Sequence, residues 1–267
     1  MPIVEKGEAE KKMPRLLCIT AHPDDEAGGF GGSLLHYAEK GVETYVICLT
    51  PGQAATHRGG ARSDDELSAM RRQEFAAACK LLKVKEGTVL NYPDGKLDQQ
   101  NLYAVVEDLT RRVREIRPDV VMTMGSEGAI TAHPDHSMAS VYGSLAVHWA
   151  GRTNRFVDQL KNGLSPHQTQ KLYYATAGFL MPDRQPVSLP PCSAIIELTA
   201  QEVDTKIEAF KRHTSQQPLF AFFEETVRRR SKTEQFHLAA TARPRKMEME
   251  TDLFAQTAVL DLVACDQ

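Results

Sequence analysis

The apolar run Leu16-Leu17-Cys18-Ile19 passes directly into Thr20-Ala21-His22-Pro23-Asp24-Asp25-Glu26, and this junction restricts the folds open to the chain. Four apolar residues bounded by polar ones read as a buried strand. An imidazole and three carboxylates immediately after it suit the carboxyl edge of an open α/β sheet, where such folds bind ligands. The same acids also suit a plainer role, capping the next helix and favouring its positive end. Residues 27–32, with glycines at 28, 29, 31 and 32, read as a flexible hinge opening into a helix over 33–40 that Gly41 stops.

The alternation continues downstream. Residues 42–50 and 119–124 read as β-branched, buried strands, and 88–92 as a shorter one before the turn Pro93-Asp94-Gly95. Ser63-Asp64-Asp65-Glu66 fits a capping box for a helix running to about residue 83. An amphipathic helix over 102–117 ends before Pro118, and Pro134 can open a helix reaching Trp149. Strand, helix, strand, helix implies an α/β chain, a Rossmann-like three-layer fold with a mostly parallel central sheet. Residues 151–170 read as a polar loop or lid that, with the loop over 52–62, shapes the pocket. Residues 172–176 and 194–198 read as strands, and Thr199-Ala200-Gln201-Glu202 opens a helix to about Arg212. Residues 216–230 read as a last helix, with Phe220, Phe222 and Phe223 packed into the core and Arg228-Arg229-Arg230 at a solvated end. The expected organisation is a frayed terminus over 1–13 and a single domain over 14–267.

Composition excludes several classes. Hydrophobic residues make up 42% and charged residues 25% of the 267, the globular range. A net charge of -3 argues against nucleic-acid binding through a basic surface. No stretch is long and apolar enough to span a bilayer, and the polar start lacks a signal-peptide core. A cytoplasmic protein is expected, with homo-oligomers left open. The five cysteines are odd in number and lack CxxC spacing, which predicts buried reduced thiols rather than bridges or metal ligands.

The second chemically loaded stretch, Thr131-Ala132-His133-Pro134-Asp135-His136, again follows a strand. His133 and His136 are three apart, as are His22 and Asp25, so each pair can share a face. If the two strand ends are neighbours, these side chains converge on a mixed His/carboxylate site of the kind zinc occupies. Three protein ligands would leave a catalytic position open, whereas four would close the site. Asp24, beside Asp25, is then free to accept a proton, and His133, if not a ligand, remains as a protonated donor to a developing oxyanion.

Together these stretches resemble a known signature. Ala21–Glu26 (AHPDDE) and His133–His136 (HPDH) are similar to the paired motifs of the LmbE-like, or PIG-L, zinc-dependent N-acetylglucosaminyl deacetylases. Arg71-Arg72-Gln73-Glu74 resembles the family's R-x-x-E, and Tyr92-Pro93-Asp94-Gly95 its strand-ending P-D-G. Residues 206–216, KIEAFKRHTSQ, resemble its late K-x-x-A-x-x-x-H-x-S-Q. The resemblance implies one Zn2+ per chain, with Fe2+ able to replace it, held by His22, Asp25 and His136. It implies Asp24 as general base and His133 as polariser or acid, with Asp135 orienting His133. Arg71, Asp94 and His213 are the candidate substrate-binding residues, although Arg71 equally fits an internal pair with Glu74, Asp94 better fits stabilising its turn or a ligand-bearing loop, and His213 equally fits structural packing near the site. Glu26 is expected to support the site rather than to bind metal. The small-molecule substrate implied is an N-acetylated amino-sugar conjugate. Two other classes share the scaffold or the ligand set: a metal-dependent hydratase of an unsaturated small acid, and a metal-binding module without catalysis. The chain departs from the family at Thr50-Pro51-Gly52, where many members carry Thr-Asp-Gly, and at the nearly apolar segment 128–132 before HPDH.

Overall fold

In a computed structural model, residues 13–176, 188–230 and 232–257 are described; the expected frayed terminus, Met13 apart, and Cys265 lie outside them. Strand β1 (Arg15–Thr20) is central because its side chains are apolar on both faces. Leu16 and Cys18 point into one core, Leu17 and Ile19 into the other, and all four are fully buried. A strand buried on both sides belongs inside a parallel sheet covered by two helical layers.

Around β1 stand β2 (Glu43–Cys48), β3 (Glu86–Val89), β4 (Val120–Thr123), β5 (Lys171–Thr176), β6 (Ala194–Glu197) and β7 (Thr233–Thr241). The order across the seven-stranded sheet is β3-β2-β1-β4-β5-β7-β6. The first five neighbours are parallel, and β7 runs antiparallel to both β5 and β6. Helices α1 (Asp25–Glu39), α2 (Asp64–Leu81) and α6 (Ala200–Phe210) cover one face. Helices α3 (Leu102–Ile116) and α4 (Pro134–Ala150) cover the other. The chain works outward from β1 to β3, then crosses back to β4 on the opposite side of β1. The carboxyl ends of β1 and β4 therefore flank the point where strand order reverses, the crevice in which doubly wound folds bind ligands.

Local signals explain most boundaries. Thr199 and Glu202 exchange both hydrogen bonds of a capping box at α6. At α2 only half of the expected box forms: Ser63 caps Glu66 N–H, while the Glu66 carboxylate accepts from Arg62 N–H instead. Helix α3 ends at Arg117, in the left-handed region with φ 56°, immediately before Pro118. Cys18, Cys48 and Cys79 are buried free thiols, and Cys192 is half-buried. Among the described residues no helix is long and apolar enough to cross a membrane.

Four expectations change. The glycine-rich stretch is not a hinge but the first turns of α1, which begins at Asp25. Its glycines admit close neighbours: a Cβ on Gly32 would lie 2.3 Å from a methyl of Leu198 and 2.9 Å from the Glu234 carboxylate. Strand β3 starts and ends earlier than the β-branched run suggests, because its pairing with β2 runs from Glu86 to Val89. Strand β7 was not anticipated, although Glu234, Phe236 and Leu238 alternate inward along it. The segment 151–170 is not a lid. Gln170 N–H bonds Asp119 O at the amino-terminal edge of the sheet, away from the crevice.

That segment, which includes the short helix α5 (Val157–Lys161), is anchored by Arg114. The guanidinium, 1% exposed, donates to Ala150 O at 3.1 Å, Arg152 O and Arg155 O at 2.9 Å each, and Gln159 Oε1 at 2.9 Å. Truncation to alanine removes this donor from Arg152 O, Arg155 O and Gln159 Oε1, while Ala150 O keeps His167 N–H at 3.0 Å. Arg114→Ala is expected to lower stability by about 3 kcal/mol in urea titration, with amide exchange rising first over 151–163 and turnover by the folded enzyme unchanged.

Candidate metal centre and active-site cavity

The loop after β1 is pulled into a tight shape before α1 begins. Asp25 Oδ2 accepts the N–H groups of His22 at 2.8 Å and Ala21 at 3.2 Å, turning its carboxylate back over the strand end. Its Oδ1 faces His136 Nε2 at 3.1 Å, and Oδ2 lies 3.7 Å from His22 Nδ1. His136 sits in the first turn of α4, and its Nδ1 donates to Gly128 O at 3.1 Å. His22 Nε2 is held by Asp94 Oδ1 at 2.9 Å and Asp135 Oδ2 at 3.2 Å. Each imidazole thus has one nitrogen tied down and the other turned towards Asp25, the arrangement that orients histidine ligands of a metal. Ligand atoms of His22, Asp25 and His136 all lie within 4.8 Å of one another, close enough to hold a metal ion.

His22, His133 and Asp135 satisfy the same distance condition. In that group, however, Asp135 is already committed: its carboxylate also accepts Gly95 N–H at 2.7 Å and Leu97 N–H at 3.1 Å. The Asp135 carboxylate is therefore turned to other partners than His133. It grips His22 and the Pro93-Asp94-Gly95 turn, and only the Asp135 backbone N–H reaches His133, donating to Nδ1 at 3.1 Å. With Nδ1 an acceptor, His133 carries its proton on Nε2, from which it can donate. Burial, joined by the charges of His22 and His136, lowers its pKa.

Asp24 adopts φ 111°, a left-handed conformation uncommon outside glycine. Buried contacts hold it there. Arg71, 3% exposed, donates to Asp24 Oδ2 at 2.9 Å, to Pro23 O, and to Gly52 O at 3.0 Å. Glu26 Oε2 accepts Asp24 N–H at 3.0 Å, and Glu26 Oε1 is paired with His213 Nε2 at 2.7 Å. Burial pushes the Asp24 carboxyl up to about 6, against the pull of Arg71. Burial opposes charge on His22, but hydrogen bonds to Asp135 and Asp94 outweigh it and carry its pKa to about 10. Asp25 moves the other way: burial would raise it, yet His136 and His22 hold it well below the usual carboxylate range.

Of the three candidate substrate-binding residues, two line the cavity and one lies behind its wall. Arg71 and Asp94 line the cavity, but Arg71 is bonded to Asp24 rather than paired with Glu74, and Asp94 carries His22 and Ala54 N–H. His213 is fully buried against Glu26, behind the wall. Glu74 instead binds the late motif, accepting Thr214 Oγ1 at 2.7 Å, Ser215 N–H at 2.6 Å and Ser215 Oγ at 2.7 Å. Gly52, at the Thr-Pro-Gly departure, sits at φ 67°, where a Cβ would lie 2.2 Å from Arg71 Nη1. Phe222, expected in the core, is 50% exposed on the cavity rim. The Glu26–His213 contact and the Asp94–His22 contact carried no pairing signal in the sequence, since each joins separate motifs.

Fold and cluster define the class: a doubly wound α/β protein with a mixed His/Asp cluster of metal-binding type at its topological switch point. Residues 17–147 match the PIG-L family, described as GlcNAc-PI de-N-acetylase. The chain is 30% identical over 213 residues to the diacetylchitobiose deacetylase of Thermococcus kodakarensis, covering 79% of this chain and 73% of the relative. This chain belongs to the PIG-L family. Among solved structures it is similar to the N,N'-diacetylchitobiose deacetylase of Pyrococcus horikoshii, at TM-score 0.67 and 27% identity over 85% of this chain and 84% of that one. The 4-carboxy-2-hydroxymuconate hydratase of Pseudomonas putida gives the same TM-score, 0.67, at 17% identity over 88% of this chain and 100% of that one. That likeness is one of fold.

The late motif's attachment is testable without an assay. Glu74→Ala removes three short hydrogen bonds to a buried carboxylate, and is expected to cost roughly 2–4 kcal/mol in chemical denaturation. Amide exchange over 213–219 is expected to accelerate before the sheet opens.

Proposed function

We propose that the chain is a zinc-dependent amide hydrolase that removes the acetyl group from an N-acetylglucosamine-type sugar conjugate. The carrying observation is the convergence of Asp24 and His133 on the cavity that also holds the His22, Asp25 and His136 group. Two imidazole nitrogens and one carboxylate are a donor set zinc accepts, with Fe2+ able to substitute, and three protein donors suit a catalytic rather than a closed site. His22 through Nδ1, His136 through Nε2 and Asp25 would hold the ion. When bound, a divalent ion there supplies an activated water and polarises the acyl carbonyl.

The chain's own residues do the rest. Arg71 occupies Asp24 Oδ2, which leaves Oδ1 to take the proton from the attacking water and pass it to the departing amine. A carboxyl raised by burial is suited to both halves of that exchange. His133, with its proton on Nε2, donates to the carbonyl oxygen as negative charge grows there. Asp94 and Asp135 fix His22, and Gly128 O fixes His136, so neither ring has to reorganise. The names of the similar deacetylases support the acetamido-sugar reading, and Asp24 and His133 give the site two groups that metal storage alone would not use.

Metal analysis of the purified protein, combined with an acetate-release screen over N-acetylated sugars, tests this reading. Asp25→Ala is expected to lose the metal. Asp24→Asn should keep it and fall about 100- to 10,000-fold in kcat, and His133→Ala should keep it and fall about 100- to 1,000-fold. Full activity in Asp24→Asn, or disappearance of an unsaturated acid's ultraviolet band without acetate release, would contradict the assignment.

A further inference from the structure

The cavity extends well past the cluster. Bounded by the described residues and opening to solvent, it has a volume of about 710 Å3, towards the upper end of the roughly 300–1,000 Å3 of small-molecule sites. Gly28 and Gly29 of α1 form its floor one turn beyond Asp24. A Cβ on Gly28 would lie 3.6 Å from the Phe210 ring and 4.0 Å from Phe223, and one on Gly29 would meet nothing within 4 Å. Glycine inside a helix costs roughly 0.5–1 kcal/mol relative to alanine, and at these two positions no side chain stands on the cavity lining between Asp25 and an aromatic wall. That wall is Phe210 stacked on Phe223, centroids 3.8 Å apart, in α6 and α7 (Phe220–Arg230). Leu219 and Phe222, 37% and 50% exposed, stand on its rim.

Charge is accounted for in this annex. The Lys and Arg side chains among its described lining residues are Arg71 and Lys206. Arg71 is bonded to Asp24, and the buried Lys206 ammonium lies 2.6 Å from Glu234 Oε1. Neither is left to receive a phosphate or carboxylate on the substrate. Exposed apolar side chains lining a concave site mark where an apolar ligand group is covered.

We infer that this annex binds an uncharged aryl or alkyl aglycone, so that the preferred substrate is an N-acetylated amino-sugar glycoside with an apolar substituent, selected by Leu219 and Phe222. The inference rests on the deacetylase reading of the cluster. The zinc-loaded protein is assayed for acetate release from N-acetylglucosamine, its phenyl and hexyl glycosides and its 1-phosphate. Binding of methyl and hexyl glucosaminides, which carry no acetyl group, is measured in parallel by calorimetry. Both apolar glycosides are expected to exceed the free sugar and the phosphate in kcat/KM by about tenfold or more, and hexyl glucosaminide to bind about tenfold tighter than methyl. Phe222→Gln and Leu219→Gln, at half-exposed rim positions, should shrink both ratios severalfold. Equal binding of the two glucosaminides, or preference for the phosphate, overturns the annex while leaving acetate release intact. Tighter hexyl binding with no acetate from any sugar leaves the annex standing and overturns the deacetylase reading instead.

Discussion

The head of the sheet depends on the Asp25 carboxylate. One oxygen collects the backbone N–H groups of Ala21 and His22, and the other meets His136 from the far strand-end loop. A carboxylate so placed stays ionised although buried, because two imidazoles oppose the cost of taking it out of water. It therefore joins the loop after β1 to the loop before α4, across the reversal of strand order, and fixes where any ion between them would sit.

Around it, contacts run between motifs far apart in the chain. Asp94 and Asp135 hold one nitrogen of His22, and the Pro93-Asp94-Gly95 turn hangs on Asp135 through Gly95 N–H. Glu26 receives the Asp24 N–H on one oxygen and His213 on the other, while Arg71 pins the Asp24 carboxylate and the neighbouring carbonyls. Asp24 keeps its left-handed backbone because these buried partners over-determine it, which is how local strain survives at sites of chemistry. Each group of the cluster is held by a further hydrogen bond: Asp24 by Arg71, His22 by Asp94 and Asp135, His133 by Asp135 N–H and His136 by Gly128 O.

The scaffold and the chemistry separate cleanly. Chains related in fold alone include a hydratase, so the sheet and its crevice do not choose a reaction. Beyond the cluster the cavity of this chain is lined by two helical glycines, the stacked Phe210 and Phe223, and an Arg and a Lys each paired with a carboxylate. Those features sit on α1, which begins at Asp25 itself, and on α6 and α7, which pack over it.

Much of this was written locally. Apolar runs of strand length, capping residues at Ser63 and Thr199, and Pro118 and Pro134 at helix ends set the α/β alternation, because strand burial and helix termini are decided by near neighbours. The two His/Asp stretches announced themselves by spacing and by their position after strands. Failures occurred where a neighbour remote in sequence prevailed. Within the first turns of α1, Gly32 admits Leu198 and Glu234 from remote segments, β7 is placed by its pairing with β5 and β6, and Phe222 stands exposed on the cavity rim. Sequence by itself determined which residues could bind a metal and carry protons, since those are properties of side-chain chemistry and periodicity. Only the tertiary structure decided that Asp135 serves His22, that Arg71 serves Asp24 and that His213 lies behind the wall, because hydrogen bonds between distant segments are fixed by how the layers close.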